Sequence, residues 1–327
     1  MMGNNDTLVV LNKYREANNS FSKKAIFHVG DGAGFYSEVD AMMQCMLWCY
    51  AHQIKFILYA DDANFSGGNG WRAFFEPFCE ESHLIWNHFG NHRTSIESKA
   101  LKAYIPFKIS EFILRKLYHI DYLTQDIFTT AIDRAVSQVE VIDCDIFDVH
   151  GVSFEEFAKL IKHVMRYNKE TREEIEKRIN SLELPERFCS VQIRGGDKTM
   201  EYERLNDVDV IMNRVFEYAK NIDNLFVFTD DYRYVRYIKE KYQNLNVYTL
   251  TKEDECGYVN EAFQKTDWQN KKDNMIKLFS MVEICMNSEV HFGNEYTCVN
   301  QYLEYSRRLE NKKCVSVWAK DDSVLKT

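Results

Sequence analysis

The chain has 327 residues and a mass of 38.7 kDa, with 45% hydrophobic and 28% charged residues and only 13 Gly and 3 Pro. At roughly 100–200 residues per domain this favours two domains, and it excludes collagen-like, low-complexity and largely disordered chains. The net charge of −9 lacks the basic footprint of a nucleic-acid binder, so a phosphate site must be built locally from one or two cations and backbone N–H groups.

Residues 1–22 are polar and read as a loose tail, without the apolar run of a signal peptide. No apolar run reaches the roughly 18 residues of a membrane span. The nine cysteines form no CxxC pair, and most lie within apolar patterns. They read as reduced thiols of a cytoplasmic protein, not as a disulfide framework or zinc site.

Residues 25–29 form a strand candidate, followed by Gly30-Asp31-Gly32-Ala33-Gly34 and an amphipathic helix over about 37–52. Apolar Ala41, Met42, Cys45, Met46, Trp48 and Cys49 recur there at helical spacing. Residues 54–58 read as a second strand, completing a β-α-β unit. The glycine run lacks the third glycine of a dinucleotide fingerprint. Gly32 and Gly34 instead read as a tight turn that admits a substrate, with Asp31 and Glu38 as polar groups beside it. Residues 71–78 are a dense aromatic patch, read as core or lid, with stacking on an acceptor sugar as the alternative. Residues 96–135 carry irregular helical periodicity. Residues 139–145 read as extended, and Ser153 with Glu156 as a capping box opening a helix that ends near Leu182. The linker follows at residues 181–185, which divides the chain into domains 1–185 and 186–327. The nine histidines show no metal spacing with cysteine and read as structural or surface residues.

Beyond Pro185 the pattern is regular. Strand candidates at 188–194, 225–229, 247–250, 290–292 and 315–317 alternate with helix candidates at 208–219, 231–242, 275–286 and 297–309. That is the alternation of a parallel Rossmann-like sheet. Residues 306–327 are candidates for packing back across the domain boundary. The fold class is α/β, with two Rossmann-like domains facing a cleft.

In an open parallel sheet, ligands sit beyond the carboxyl ends of the strands. The strand at 188–194 ends in Arg194-Gly195-Gly196-Asp197-Lys198. The glycines permit close backbone approach, and Arg194 and Lys198 supply charge for phosphate oxygens. Asp197 can orient either cation. The next strand ends in Thr229-Asp230-Asp231, where one carboxylate suits a ribose or base contact and the other a helix cap. The fourth ends in Gly293-Asn294-Glu295-Tyr296-Thr297, a turn into a helix N-terminus that favours anions. These strand ends point to a nucleotide diphosphate.

The segment Val191-Gln192-Ile193-Arg194-Gly195-Gly196-Asp197-Lys198 resembles the His-x-Arg-Arg-x-Asp-Lys stretch of α1,6-fucosyltransferases, and the related His-x-Arg-His-Gly-Asn-Gly stretch of the rhizobial nodulation enzyme. The 32–34 turn with its helix, Phe228-Thr229-Asp230-Asp231, and residues 275–299 are similar to further parts of that family. The resemblance implies a two-domain GT-B fold and a metal-independent, inverting glycosyltransferase. Its donor would be GDP-fucose and its acceptor a glycan bound by the N-terminal domain, with no cofactor. It places Arg194 and Lys198 on the diphosphate, Asp230 at guanine or ribose, and Thr297 where the family has a phosphate-binding serine. Glu201 and Glu203 are both candidates for the carboxylate that deprotonates the acceptor hydroxyl. Gln192 stands where the family has histidine, and Gly195 where it has a second arginine or histidine. Another GDP- or UDP-sugar, or a non-catalytic nucleotide- or glycan-binding role, are the alternatives. So is a metal-dependent transferase built on Asp143-Cys144-Asp145.

Overall fold

The structure, a computed structural model, describes residues 4–93, 101–137, 142–151, 156, 158–197, 207–294 and 297–317. The chain forms two compact units, Met1–Asn168 and Lys169–Thr327.

The first unit opens with α1 (Asn4–Ser20), so the expected loose tail is a helix. Thr7, Leu11, Tyr14 and Asn18 are its buried stripe at helical spacing. Asn18 fixes the helix further by bonding both the N–H (2.8 Å) and the carbonyl (2.9 Å) of Phe56. The predicted β-α-β unit follows as β1 (Lys23–His28), α2 (Phe35–Ala51) and β2 (Ile54–Tyr59). Strands β1 and β2 pair in parallel, with Ala25 opposite Phe56. The short strands β3 (Glu80–Glu81) and β4 (Tyr122–Leu123) complete a four-stranded sheet in the order β3-β2-β1-β4. Helix α2 is apolar on nearly all sides because the sheet and other elements enclose it. Met42, Cys45, Met46 and Cys49 are fully buried.

The aromatic patch is core: Trp71, Phe74, Phe75 and Phe78 are each at most 1% exposed. Phe75 stacks on Trp71, Phe35 and Tyr167. Those rings have no open face for a sugar. Helices α3 (Trp86–Gly90) and α4 (Leu101–Phe112) come next, a π-helical turn at Ile113–Leu117 continues α4, and α5 (Thr124–Ser137) follows β4.

Asp143 and Asp145 lie in and beside an antiparallel hairpin, β5 (Ile142–Cys144) with β6 (Val149–Gly151). The Asp143 side chain is 70% exposed, unlike a carboxylate set at the end of a parallel strand. Ser153 lies outside the described residues. The single helix expected up to Leu182 is interrupted after α6 (Ile161–Val164). Residues 166–168 pair as extended backbone with residues 74–76, through Glu76 N–H to Arg166 O (2.7 Å) and Asn168 N–H to Phe74 O (2.9 Å). A helix there would forfeit those bonds.

The units divide at this break and not at Pro185. Helix α7 (Lys169–Asn180) lies in the second unit, where it packs on α11 (Trp268–Asn287). It buries Thr171 and Ile175 and pairs Arg172 with Glu283 and Arg178 with Asp273. Two buried positions and these ion pairs dock this highly charged helix.

Beyond α7 the predicted alternation is present. The elements are β7 (Cys189–Ile193), α8 (Val208–Tyr218), β8 (Asn224–Thr229), α9 (Tyr232–Lys241), β9 (Asn246–Tyr248), α10 (Asn260–Gln264), then α11, β10 (Val290–Gly293), α12 (Cys298–Leu309) and β11 (Lys313–Ser316). The five strands are all parallel, in the order β11-β10-β7-β8-β9. Val191, Ile193, Leu225, Val227, Phe292 and Val315 form its fully buried core. The described end of the chain, β11, is an edge strand of this sheet; residues 318–327 lie outside the described residues.

Two buried polar groups hold the β10 side of the sheet. Burial drives the His291 imidazole down to about 3, so it is neutral, donating from Nε2 to Asn300 Oδ1 (2.9 Å) and accepting at Nδ1 from the Ser190 hydroxyl (2.8 Å). Arg307 is 0% exposed and donates to the carbonyls of Cys285, Met286, Ser288, Glu289 and Lys313 and to the Ser288 hydroxyl. It closes the carboxyl end of α11 against β11, where a cation complements the helix dipole. The nine cysteines are all free.

Candidate active site

Strands β8 and β9 lie successively on one side of β7, and β10 and β11 on the other. The order therefore reverses between β7 and β10, and such a switch point opens a crevice at the carboxyl ends of the strands. The Arg194 loop leaves β7 there, and α12 begins beside it. Thr297 caps α12, accepting from Asn300 N–H at 3.4 Å, and donates its hydroxyl to Gln192 Oε1 at 3.0 Å. Gln192 thus ties β7 to the helix N-terminus. Both residues are at most 5% exposed. Gly293 is required at the end of β10, since a Cβ there would lie 1.7 Å from Asn300 Oδ1.

The Arg194 loop is held by Asp230. The Asp230 carboxylate accepts from Gly195 N–H (2.7 Å), from Tyr258 N–H (2.8 Å) and from the Arg194 guanidinium. Asp197 takes the other side of Arg194 at 3.2 Å and accepts from Asn260 N–H at 3.1 Å, while its own N–H donates to Tyr258 O at 3.0 Å. Arg194 also lies over the Tyr258 ring, 5.1 Å from its centre. Burial and the nearby Asp197 carboxylate push the Tyr258 hydroxyl up to about 12, against the pull of Arg194, so it is neutral.

Gly196 has φ +61°, and a Cβ on it would stand 2.0 Å from Tyr258 O. The close approach that its glycine permits is made by the protein's own 257–258 segment. Asp231 is the helix cap, accepting from Arg233 N–H at 3.0 Å, and the Arg233 guanidinium holds its carboxyl below the usual range. A cleft of about 900 Å³ opens beside the loop, lined among others by Gly196, Asp197, Arg233, Tyr234, Asp209 and Cys256. That volume suits a drug-sized or nucleotide-sized ligand.

The structure therefore brings Arg194, Gly195, Gly196, Asp197 and Asp230 together, with Gln192 and Thr297 on the β10 side of the same strand ends. Lys198, Glu201 and Glu203 lie outside the described residues. Sequence reasoning missed residues 255–260, whose only signal was Gly257 in the loop after the third strand.

Gly32 and Gly34 belong to the first unit. Their turn is pinned by Glu38, fully buried on α2, which accepts from Gly30 N–H (2.9 Å) and Ala33 N–H (2.8 Å) and pairs with Arg93. Histidines cluster next to this turn, and they do have carboxylate partners. His28 faces Asp62, His88 bonds Asp62, His92 bonds Asp31 and His83 bonds Asp61. Burial raises the Asp62 carboxyl, but His28 and His88 outweigh it and hold the group down to about 2. These partners are 22 to 61 residues away, so local spacing did not reveal them. The strand-end rule applied to the first sheet would have, since His28 ends β1 and Asp61-Asp62 closely follow β2.

Residues 14–269 match the family model for the N- and catalytic domains of alpha-(1,6)-fucosyltransferases. The chain belongs to this family. It is accordingly a glycosyltransferase. Solved structures carry the same fold at very low identity. The fucosyltransferase NodZ from Bradyrhizobium is 9% identical, with 86% of this chain and 92% of that one covered and a TM-score of 0.52. NodZ alpha-1,6-fucosyltransferase soaked with GDP-fucose gives 10%, 87%, 92% and 0.53 in the same order, and POFUT1 in complex with GDP gives 8%, 91%, 98% and 0.52. The expected α/β class, with a parallel sheet in each unit, is the observed one. No curated protein matches the chain. Among the described residues no helix is long and apolar enough to cross a membrane.

Proposed function

We propose that this fucosyltransferase-family chain transfers fucose from GDP-fucose to a glycan acceptor, without a metal at the diphosphate and with inversion at the sugar carbon. The C-terminal unit binds the donor and the N-terminal unit the acceptor. The observation that carries the reading is the position of Arg194 at the switch point between β7 and β10, beside the capped N-terminus of α12. NodZ and POFUT1, of the same fold, have been solved with GDP-fucose and GDP respectively.

As the bond from the sugar to the diphosphate breaks, negative charge grows on phosphate and positive charge on the ring. Arg194 and Lys198 stabilise the first in place of a metal ion. Glu201 or Glu203 removes the proton of the acceptor hydroxyl as it attacks from the opposite face. Thr297 adds a hydroxyl at the helix terminus that receives phosphate oxygens. Asp230 and Asp197 hold the Arg194 guanidinium in place before the donor arrives, so that its charge requires little reorganisation. Gly32 and Gly34 shape the acceptor side.

Calorimetry with GDP and UDP in EDTA, on the parent and on Arg194→Ala, tests the reading. GDP binding in EDTA that weakens by about 100-fold in the variant supports it, the size expected for a charge-assisted bidentate contact. Binding of UDP alone refutes GDP-fucose as donor. GDP binding that requires added metal refutes the metal-free diphosphate site.

A further inference from the structure

The cluster at the carboxyl end of the first sheet turns a buried histidine nitrogen towards further potential metal ligands. His28 ends β1 with its side chain 3% exposed. Its Nδ1 lies 2.6 Å from the carbonyl oxygen of Asn91. A carbonyl only accepts, so Nδ1 carries the hydrogen. The other ring nitrogen, Nε2, stands 2.8 Å from Asp62 Oδ1. Neither atom has a hydrogen-bond partner, and both are buried.

Two further groups converge on the same place. One ligand atom each from His28, Asp31 and His92 lie within 4.8 Å of one another. The outer atoms are already oriented. Asp31 Oδ2 accepts from Arg93 N–H at 3.0 Å, and Asp62 Oδ2 is bonded by His88 Nδ1 at 2.5 Å. A histidine that donates one ring N–H to a backbone carbonyl and offers the other nitrogen inward, with carboxylates braced from behind, is the usual supporting shell of a metal ligand.

We propose that His28 Nε2, His92 and Asp31 bind a single divalent transition-metal ion of the zinc type, with the Asp62 carboxylate beside His28. Two imidazoles and one carboxylate make a three-ligand N₂O set, which suits Zn²⁺ more than the softer thiolate metals or the all-oxygen Mg²⁺ and Ca²⁺. The ion fastens the end of β1, the 30–34 turn and the 91–93 segment to one another. It gives the buried Nε2 of His28 a partner. The proposal concerns the first unit alone and does not rest on the donor chemistry, so GDP binding in EDTA is unaffected by it.

The test uses the full chain, stripped with a chelator and titrated with Zn²⁺ against a chromophoric competitor. One Zn²⁺ per chain is expected, with affinity lowered by at least about 10-fold in each of His92→Ala and Asp31→Asn. His83→Ala, whose imidazole is 64% exposed and outside the set, is expected to stay within about 2-fold of the parent. X-ray absorption of the loaded protein is expected to show nitrogen and oxygen neighbours only. Circular dichroism of the chelated variants checks that they are folded, and His88→Ala, removed from the inner set, gives a milder second variant. Absence of stoichiometric Zn²⁺ binding overturns the proposal and leaves His28 as an imidazolium paired with Asp62. Binding that is unchanged in both ligand variants, or sulfur among the neighbours, overturns it as well.

Discussion

Asp230→Asn separates two roles for the carboxylate at the end of β8. As a ligand group it would contact nucleotide and contribute little to the fold. In the structure it instead receives Gly195 N–H, Tyr258 N–H and Arg194. Asparagine has one acceptor oxygen, and its amide nitrogen must then face a second donor. A hydrogen bond to a charged group contributes about 1.5–3 kcal/mol and a neutral one about 0.5–1.5 kcal/mol. Losing one charged bond, weakening another and leaving one N–H unpaired sums to about 2–4 kcal/mol of local stability. In a unit of this size that corresponds to roughly 5–10 °C in melting temperature. Amide hydrogen exchange gives the sharpest assay, because Gly195 and Tyr258 N–H are expected to lose protection together. GDP affinity is expected to fall too, since Arg194 loses its anchor. A variant that weakens GDP binding while both amides keep their full protection would refute the anchoring role and restore Asp230 as a direct ligand.

Gly196→Ala places a Cβ at φ +61° and 2.0 Å from Tyr258 O, so the loop must shift. A displacement of about 1 Å costs roughly 100-fold in turnover with little change in circular dichroism, and steady-state kinetics measures it. Arg307→Met leaves the carbonyls of Cys285, Ser288 and Lys313 without their buried donor. About 3–5 kcal/mol of destabilisation is expected in urea unfolding. Asp40, on α2, is pushed from its ordinary 3.8 up to about 7 by burial, which outweighs the Gln44 amide that bonds it. Its folded form holds the proton, so its contribution is fully present below about pH 4 and is lost as pH rises to about 7. Asp40→Asn is expected to remove that fall and to raise the unfolding midpoint at pH 8.

Much of the C-terminal sheet is legible from sequence because its strands are short apolar runs buried on both faces, punctuated by glycine and by helix caps. The Arg194 loop is legible for the related reason that two glycines and two cations at a strand end are rare in an acidic chain. The Asp230 clasp was not, since it depends on backbone N–H groups at Gly195 and Tyr258, and a main-chain donor leaves no mark in side-chain identity. Helix α1 was missed because its buried stripe mixes Leu11 and Tyr14 with Thr7 and Asn18, and polar members hide the period. The domain division was displaced because Met165 to Asn168 are compatible with helix locally, and only their pairing with residues 74–76 breaks it.

Arg307 holds its six oxygens without a carboxylate among them. Its charge is met by the dipoles of a helix end and a strand, none of which titrates and all of which salt screens weakly once buried. That corner acts as a catch. The guanidinium cannot leave one oxygen for water without exposing the next, so α12 and β11 open together or not at all. Opening must break several of these buried bonds before water can replace them, a cost that falls on the unfolding step. The N-terminus of α12, capped by Thr297, begins the same helix that this catch holds.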